Sequence, residues 1–422
     1  MRIEDTDKER SKKEYEEDII AGLKWLRLNW DGQVIRQSEK TKTHRKYLEK
    51  LLEEKKAFYC FHSQDELESE KKEQELNKAP FKHDCAHKHS KETSSGNGVT
   101  RLANPNKTIL FKDLIRGEVS FESSLLGDIV IAKGLDTPLY HLAVVIDDFE
   151  SKITHVIRGE DHLSNTPKQI LIQEALEINQ PIYAHLPLIL GADKSKLSKR
   201  HGGTALTEYK DQGYLPEAMI NFMALLGWHP THNQEIFNFE ELIKEFDLAR
   251  VQKGGAVFDI NKLDSINHRY IKQLSHEELA NKLKPHLDKF NPSPDQLTRI
   301  AHAYEDRLKK FSEIGELAKF IFEPPDYSSN LLIWKNASPN TIKENLELAA
   351  QTIEKIPENN FDLDTVTTEL MIVADQKGRG EFLWPLRVAL AGADKSPAPF
   401  ELAFVLGKKD SLLRINIALQ KL

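Results

Sequence analysis

The sequence Lys196-Leu197-Ser198-Lys199-Arg200-His201-Gly202-Gly203 says most about the fold of this chain. It combines cationic side chains, a hydroxyl group and two glycines in one short loop. Such a loop can fold over a triphosphate and neutralise the charge that develops as a nucleotide reacts. Alone the signal is weak, because most lysine- and arginine-rich stretches are solvated loops. Its meaning depends on the motifs that accompany it.

The composition indicates a helix-rich globular protein. The 422 residues are 30% charged, 39% hydrophobic and 8% aromatic, which allows about two to four domains. The sequence contains neither an apolar run long enough for a membrane span nor a signal peptide. Its two cysteines suit a reducing compartment, so we expect a cytoplasmic protein. The formal charge of −7 argues against a generic nucleic-acid binder but allows a local basic face.

Strands and helices alternate in the first half of the chain. Apolar residues at helical spacing predict a helix over residues 40–56. A charged stretch behind a Ser63–Glu66 capping box predicts a second over 65–76, and Thr166 with Pro167 predicts the start of a third that runs to about 176. Strand-like segments lie at residues 2–3, 108–111, 119–121, 128–132, 139–147 and 153–157. This alternation predicts an α/β fold with a doubly wound sheet. After about residue 235 the pattern is helical, with segments at 239–246, 277–287, 296–319, 341–356 and 365–373.

Both cysteines lie in a polar segment, within the pairs Cys60-Phe61-His62 and Cys85-Ala86-His87. Two thiolates and two imidazoles are sufficient for a closed tetrahedral zinc site. This segment has few apolar residues to fold around, and a structural metal would supply the missing stability. The alternative is two unrelated free cysteines beside a histidine-rich loop.

Three motifs occur in order: Arg2-Ile3-Glu4-Asp5-Thr6-Asp7, Arg158-Gly159-Glu160-Asp161-His162 and the loop at 196–200. Together they resemble the class I glutamyl-tRNA synthetases, over essentially the whole chain. The resemblance implies a Rossmann-like catalytic domain followed by an all-α anticodon-binding domain. It implies a catalytic domain over 1–235 with an inserted acceptor-binding and zinc subdomain at about 58–135. A helical stem-contact region over 236–300 and an anticodon-binding domain over 301–422 follow.

The resemblance also implies ATP-dependent ligation of glutamate to tRNA(Glu), through glutamyl-adenylate. Glu4, with Asp7 beside it, matches the family's glutamate for the substrate α-ammonium, which needs a paired charge when buried. Arg158 matches the arginine that binds the side-chain carboxylate bidentately, and Tyr140 matches a tyrosine lining the substrate. Without the motifs, the two acidic residues would be solvated carboxylates and Tyr140 an ordinary core residue.

The remaining family roles concern ATP and the metals. Asp161 and His162 take the positions that contact ATP. Lys199, assisted by Lys196 and Ser198, matches the group that neutralises the transition state together with Mg²⁺. Many bacterial members also carry a Cys-x-Cys…Cys-x-His zinc site here. The presence of His62 in place of a cysteine is a conservative change for zinc.

The helical half resembles the family's anticodon-binding domain through Trp384-Pro385-Leu386-Arg387 and the stretch from residue 396 to 400. Arginine and apolar faces suit unstacked bases, so the expected contacts are Arg387, Ser396, Pro397 and Phe400; the alternative is a helix-packing segment. The expected partners are tRNA(Glu), with tRNA(Gln) left open, and the expected state is a monomer.

Family members begin with a strand, a helix and a His-x-Gly-His-type motif before the Arg2–Asp7 segment, and no such motif occurs in this sequence. The expectation is therefore a chain lacking roughly the 30 residues of one βαβ unit. It would be inactive or poorly folded, because a central strand would be unpaired. The alternative function is a catalytically dead tRNA-binding paralogue, although Glu4, Arg158 and Lys199 favour the enzyme.

Overall fold

The computed structural model describes residues 1–7, 11–89, 98–198, 200 and 205–422. The chain forms two units, Met1–Thr207 with Met223–Asp259, and Glu208–Phe222 with Ile260–Leu422. The three regions expected from the resemblance have other bounds and stay a prediction. Among the described residues, no helix is long and apolar enough to cross a membrane.

The strands, in chain order, are β1 (Arg2–Ile3), β2 (Ile35–Arg36), β3 (Ala57–Cys60), β4 (Val99–Leu102), β5 (Thr108–Asp113), β6 (Gly117–Glu122), β7 (Ile129–Gly134), β8 (Thr137–Pro138), β9 (His155–Gly159), β10 (Ile182–Leu186), β11 (Ile189–Leu190) and β12 (Ala256–Val257). The helices are α1 (Lys13–Trp25), α2 (Thr41–Glu53), α3 (Gln64–Leu76), α4 (Tyr140–Glu150), α5 (Thr166–Leu176), α6 (Leu206–Asp211), α7 (Pro216–Leu225), α8 (Phe239–Glu245), α9 (Ile260–Ile271), α10 (His276–Leu287), α11 (Pro294–Tyr304), α12 (Ile314–Leu317), α13 (Lys319–Phe322), α14 (Pro339–Lys355), α15 (Leu363–Lys377), α16 (Arg379–Ala391) and α17 (Pro399–Lys421).

The sheet that positions the site has the order β6-β5-β10-β9. Strand β10 pairs in parallel with both β5 and β9, and β6 closes one edge antiparallel to β5. Helices α2, α4 and α5 pack with these strands around a core that includes Leu51, Leu142 and Ile172, each fully buried. Two further strands, β1 and β2, pair in parallel elsewhere in the unit.

A second sheet, of order β3-β4-β7-β8, is antiparallel throughout and carries the cysteine-containing segment. Gly127, at φ +61°, allows the backbone of His83 to approach so closely that a Cβ would lie 2.6 Å from its nitrogen. The next residue, Asp128, accepts hydrogen bonds from the backbone N–H of Cys85 over 2.9 Å and of Asn104 over 2.8 Å. The turn at 127–128 therefore fixes the path of the segment carrying Cys85.

The second unit is helical. Its longest helix, α17, packs against α14, α15 and α16, and α10 packs against α11. Helix α17 bends at Gly407, whose φ of 79° lies in the left-handed region. The segment predicted as helical over 296–319 is α11, which ends at Tyr304, followed by shorter turns and helices.

One predicted strand is wrong. Residues 139–147 were expected to form a central strand, and they lie almost wholly in helix α4. Six consecutive residues of α4, from Leu142 to Asp147, are buried. A helix buried on all sides shows no apolar period, so its sequence resembles that of a buried strand.

Candidate active site, metal cluster and RNA-binding cavity

Arg158, near the end of β9, donates three hydrogen bonds that hold its side chain in place. Its Nη2 donates to Thr166 Oγ1 over 2.8 Å and to Gln169 Oε1 over 2.7 Å, and its Nε donates to Nε2 of His185 over 3.3 Å. Within the described part of the chain, Nη1 of Arg158 makes no hydrogen bond, and Nε2 of Gln169 is a buried donor without a partner. A carboxylate, which only accepts hydrogen bonds, suits this pair of donors.

Tyr140 links the predicted substrate residues. Its hydroxyl lies 3.3 Å from Nδ1 of His162. Burial raises the pKa of Tyr140 and the charge of Glu4 raises it further, whereas the charge of Arg158 and hydrogen bonds from Gln169 and Arg158 oppose the rise. Glu4 accepts a hydrogen bond of 2.9 Å from Arg2. The structure therefore brings Glu4, Tyr140, Arg158 and His162 together.

The lysine loop contributes an exposed ion pair beside His162. Nζ of Lys196 donates to Asp161 over 2.7 Å and lowers the pKa of that carboxyl group. An exposed pair contributes only about 0 to 1 kcal/mol, so Lys196 can exchange Asp161 for a phosphate at little cost. Ser198 is exposed on the same loop. Lys199 lies outside the described residues, and its role stays a prediction.

A cavity of about 680 Å³ lies beside Tyr140, and Asp7 is part of its wall. Beneath the cavity, the carboxylate of Asp147 accepts from the Gln37 amide over 2.8 Å and contacts Nε2 of His44 over 2.8 Å. These three side chains are almost fully buried. Such a satisfied polar network fixes the wall rigidly. The residues that line the cavity together with Asp7 and Tyr140 are Asp5, Thr6, Gln37, Ser38, Thr41, His44, Lys133, Asp136, Thr137, Pro138 and Leu139.

Sequence reasoning missed Thr166, Gln169 and His185 around Arg158. All three are buried and lie in elements rich in apolar residues, so neither composition nor spacing distinguishes them. The only signal is that glutamine and histidine occur where a core strand or helix would be expected to be apolar.

Comparison with known families decides the identity. The family described as tRNA synthetases class I (E and Q), catalytic domain, matches residues 1–265, and the anticodon binding domain family matches residues 278–419. The chain belongs to the class I glutamyl-tRNA synthetase family. Glutamate–tRNA ligase 1 of Caldanaerobacter subterraneus subsp. tengcongensis is 37% identical to this synthetase over 435 residues, covering 100% of this chain and 90% of the relative.

Two further relatives agree. The glutamate–tRNA ligase of Natranaerobius thermophilus is 38% identical over 454 residues, covering 100% of this chain and 91% of its own. The crystal structure of a glutamate tRNA ligase from Elizabethkingia meningosepticum, in complex with its amino acid, superposes with a TM-score of 0.88 at 31% identity. It covers 100% of this chain and 92% of that one. These matches cover the whole of this chain and 90 to 92% of each relative, and the predicted loss of an N-terminal segment stays a prediction.

The synthetase also assembles a potential metal site. One donor atom from each of Cys60, His62, His83 and Cys85 lies within 4.8 Å of the other three. Nδ1 of His62 is 3.5 Å from the Cys60 sulfur and 3.6 Å from the Cys85 sulfur. Tetrahedral zinc with ordinary Zn–S and Zn–N bonds separates such atoms by about 3.6 Å. Burial raises the pKa of Cys85 to about 12, and a divalent cation would reverse that preference for the thiol.

The cluster contains His83 where the sequence predicted His87, whose role as a ligand stays a prediction. Nε2 of His83 lies 3.8 Å from the Cys60 sulfur. Nδ1 of His83 contacts Glu70 over 2.5 Å, which leaves Nε2 for a metal. Nδ1 of His87 lies 3.6 Å from the Cys85 sulfur, but it accepts a hydrogen bond from the backbone of Phe61 over 3.4 Å. Coordination through Nδ1 of His87 would therefore require the loss of this hydrogen bond.

The anticodon-binding unit of the synthetase contains a cavity of about 860 Å³. Arg387, Ser396 and Pro397, predicted as RNA contacts, line it, whereas Phe400 lies in the first turn of α17 and is not in its wall. Nε of Arg387 is a buried donor with no partner among the described residues. The remaining wall residues are Tyr304, Arg307, Glu316, Leu317, Lys319, Phe320, Glu323, Pro324, Pro325, Asp326, Ala391, Ala393, Asp394 and Lys395.

Proposed function

We propose that this synthetase is a glutamate–tRNA ligase, which forms glutamyl-adenylate from glutamate and ATP and transfers the glutamyl group to tRNA(Glu). The observation that carries the choice of amino acid is the guanidinium of Arg158, which lies with the buried, unsatisfied Nε2 donor of Gln169 beside the hydroxyl of Tyr140. Glutamine would present an amide N–H₂ to one of these donors. Leaving a buried donor unsatisfied costs about 1 to 3 kcal/mol, or more for a charged group.

The roles of the other residues are those that the family resemblance implies. Glu4 receives the α-ammonium of glutamate, and Tyr140 lines the site. In the first step an α-carboxylate oxygen bonds to the α-phosphorus of ATP, and the bond to pyrophosphate breaks. Lys196, Lys199 and Ser198 neutralise and hydrogen-bond the phosphates. Asp161 and His162 contact ATP, and Mg²⁺ enters with it. In the second step a ribose hydroxyl of tRNA attacks the glutamyl carbonyl, and AMP leaves. Asp7 lines the same cavity as Tyr140.

Zinc is the proposed structural metal of the inserted segment. Cys60, His62, His83 and Cys85 would hold it, and bound zinc would supply folding free energy where few apolar side chains are available. The cavity with Arg387, Ser396 and Pro397 is the proposed anticodon site, and Phe400 is retained as a neighbouring contact. A monomeric state, a cytoplasmic location and charging of tRNA(Gln) remain predictions from the sequence.

The test is ATP–pyrophosphate exchange with purified chain and tRNA, comparing glutamate with glutamine. Glutamate-dependent exchange, absent with glutamine and lost in Lys196→Ala together with Lys199→Ala, is the expected result. Arg379→Lys, an exposed variant on α16, provides a control with unchanged activity. No exchange with any amino acid, while tRNA still binds, would replace this proposal by the tRNA-binding paralogue.

A further inference from the structure

Behind Arg158 lies an ionisable pair that the proposed chemistry does not use. The side chains of Asp113 and His185 are both 0% exposed, and Nδ1 of His185 lies 2.6 Å from Oδ2 of Asp113. The sheet dictates their place, because His185 on β10 is the ladder partner of Arg158 on β9, and β5, which ends at Asp113, lies on the other side of β10. Three adjacent parallel strands thus deliver a carboxylate, an imidazole and a guanidinium in a row.

The hydrogen bonds fix the tautomer of His185. Arginine can only donate, so the 3.3 Å contact from Nε of Arg158 makes Nε2 of His185 an acceptor, and the Thr166 hydroxyl, 3.0 Å from the same nitrogen, then donates to it as well. The ring proton must then sit on Nδ1, from which it is donated to Asp113. Burial lowers the pKa of His185, although the hydrogen bond and the charge of Asp113 oppose this.

Asp113 is itself held as an anion. Burial alone would raise its pKa, but backbone N–H donors and the His185 ring outweigh burial and lower it. Oδ1 accepts from the backbone N–H groups of Ile115 over 2.9 Å, Arg116 over 2.8 Å and His185 over 3.3 Å. Oδ1 therefore accepts from the backbone, and Oδ2 accepts from the imidazole of His185.

We propose that Asp113 and His185 are positioning residues that aim Arg158 at the substrate carboxylate by holding His185 in the tautomer whose Nε2 accepts. Arginine has five N–H donors. One is bound by His185 and two by Thr166 and Gln169, so the two on Nη1 remain for the substrate. The inference rests on the proposed glutamate specificity and adds the residues that create it.

Asp113→Asn tests this with little change of shape. The amide oxygen keeps the three backbone bonds, and the amide N–H₂ replaces Oδ2, so a donor now faces Nδ1. His185 must move its proton to Nε2, where it meets the N–H of Arg158. We expect the KM for glutamate in ATP–pyrophosphate exchange to rise roughly 10- to 100-fold, with the KM for ATP unchanged. Asp375→Asn, an exposed aspartate paired with an arginine, is the matched control.

Nitrogen-15 spectra of histidine-labelled protein provide a readout that is independent of activity. The His185 signals are identified by their loss in His185→Phe, and they should show a protonated Nδ1 in the wild type and a protonated Nε2 in Asp113→Asn. A wild-type ring protonated on Nε2 would overturn the inference, as would equal rises in the KM for glutamate and for ATP. A wild type with the expected tautomer but no glutamate-dependent exchange would refute the proposed function and leave the hydrogen-bond chain standing.

Discussion

Replacing Arg158 by lysine separates the charge of this side chain from its geometry. Lysine keeps the positive charge but carries its three donors on one nitrogen. In the structure Arg158 already uses three N–H groups on His185, Thr166 and Gln169. A lysine that satisfied these acceptors would have none left for the substrate, so at least one charge-assisted hydrogen bond is lost. Such a bond contributes about 1.5 to 3 kcal/mol, which corresponds to a roughly 10- to 150-fold fall in kcat/KM for glutamate.

The assay is ATP–pyrophosphate exchange at varied glutamate with saturating ATP and tRNA, and then at varied ATP. The expected effect of Arg158→Lys is confined to glutamate. Arg379→Lys, whose pair with Asp375 is exposed, is the control for the same chemical change elsewhere. Thermal unfolding of both variants shows whether the fold is kept. A folded Arg158→Lys variant with normal kcat/KM for glutamate would refute the carboxylate-binding role of this residue.

Three further predictions address other parts of the chain. His83→Asn should release the zinc that the wild type binds, measured by elemental analysis, whereas His87→Asn should retain it; the reverse result would restore the ligand set predicted from the sequence. Arg387→Ala should raise the KM for tRNA in aminoacylation by roughly 5- to 150-fold, the equivalent of about 1 to 3 kcal/mol for one base contact, while Arg379→Ala on the same helix should not; equal effects would argue against the cavity as the anticodon site. Burial lowers the pKa of His141 to about 4, below the ordinary value in the unfolded chain. The unfolded state therefore binds the extra proton first, and stability contributed by the neutral ring is present above pH 6.5 and lost as the pH falls towards 4, by about 3 kcal/mol at most. In urea unfolding, the free energy of unfolding of His141→Phe should fall less steeply between pH 6.5 and 4 than that of the wild type. An equal pH dependence in the two proteins would contradict this prediction.

Local signals in the sequence determined much of the first-unit architecture. The Ser63–Glu66 capping box starts α3 as predicted, because both hydrogen bonds form within four residues. The predicted strands near 108–111, 119–121 and 128–132 are present as β5, β6 and β7. The three ordered motifs likewise identified the family, since each is a contiguous run whose chemistry does not depend on distant residues.

Tertiary structure alone decided what depends on neighbours. Helix α4 could not be distinguished from a strand, because the whole of its middle is enclosed by other elements. Both the grouping of His83 with Cys60, His62 and Cys85 and the row from Asp113 through His185 to Arg158 depend on which side chains distant segments bring together. The sequence determined the residues able to bind a carboxylate, a nucleotide and a metal. Several of the partners lie far apart in the chain, as Asp113 and His185 do at a separation of 72 residues, and only folding could bring them together.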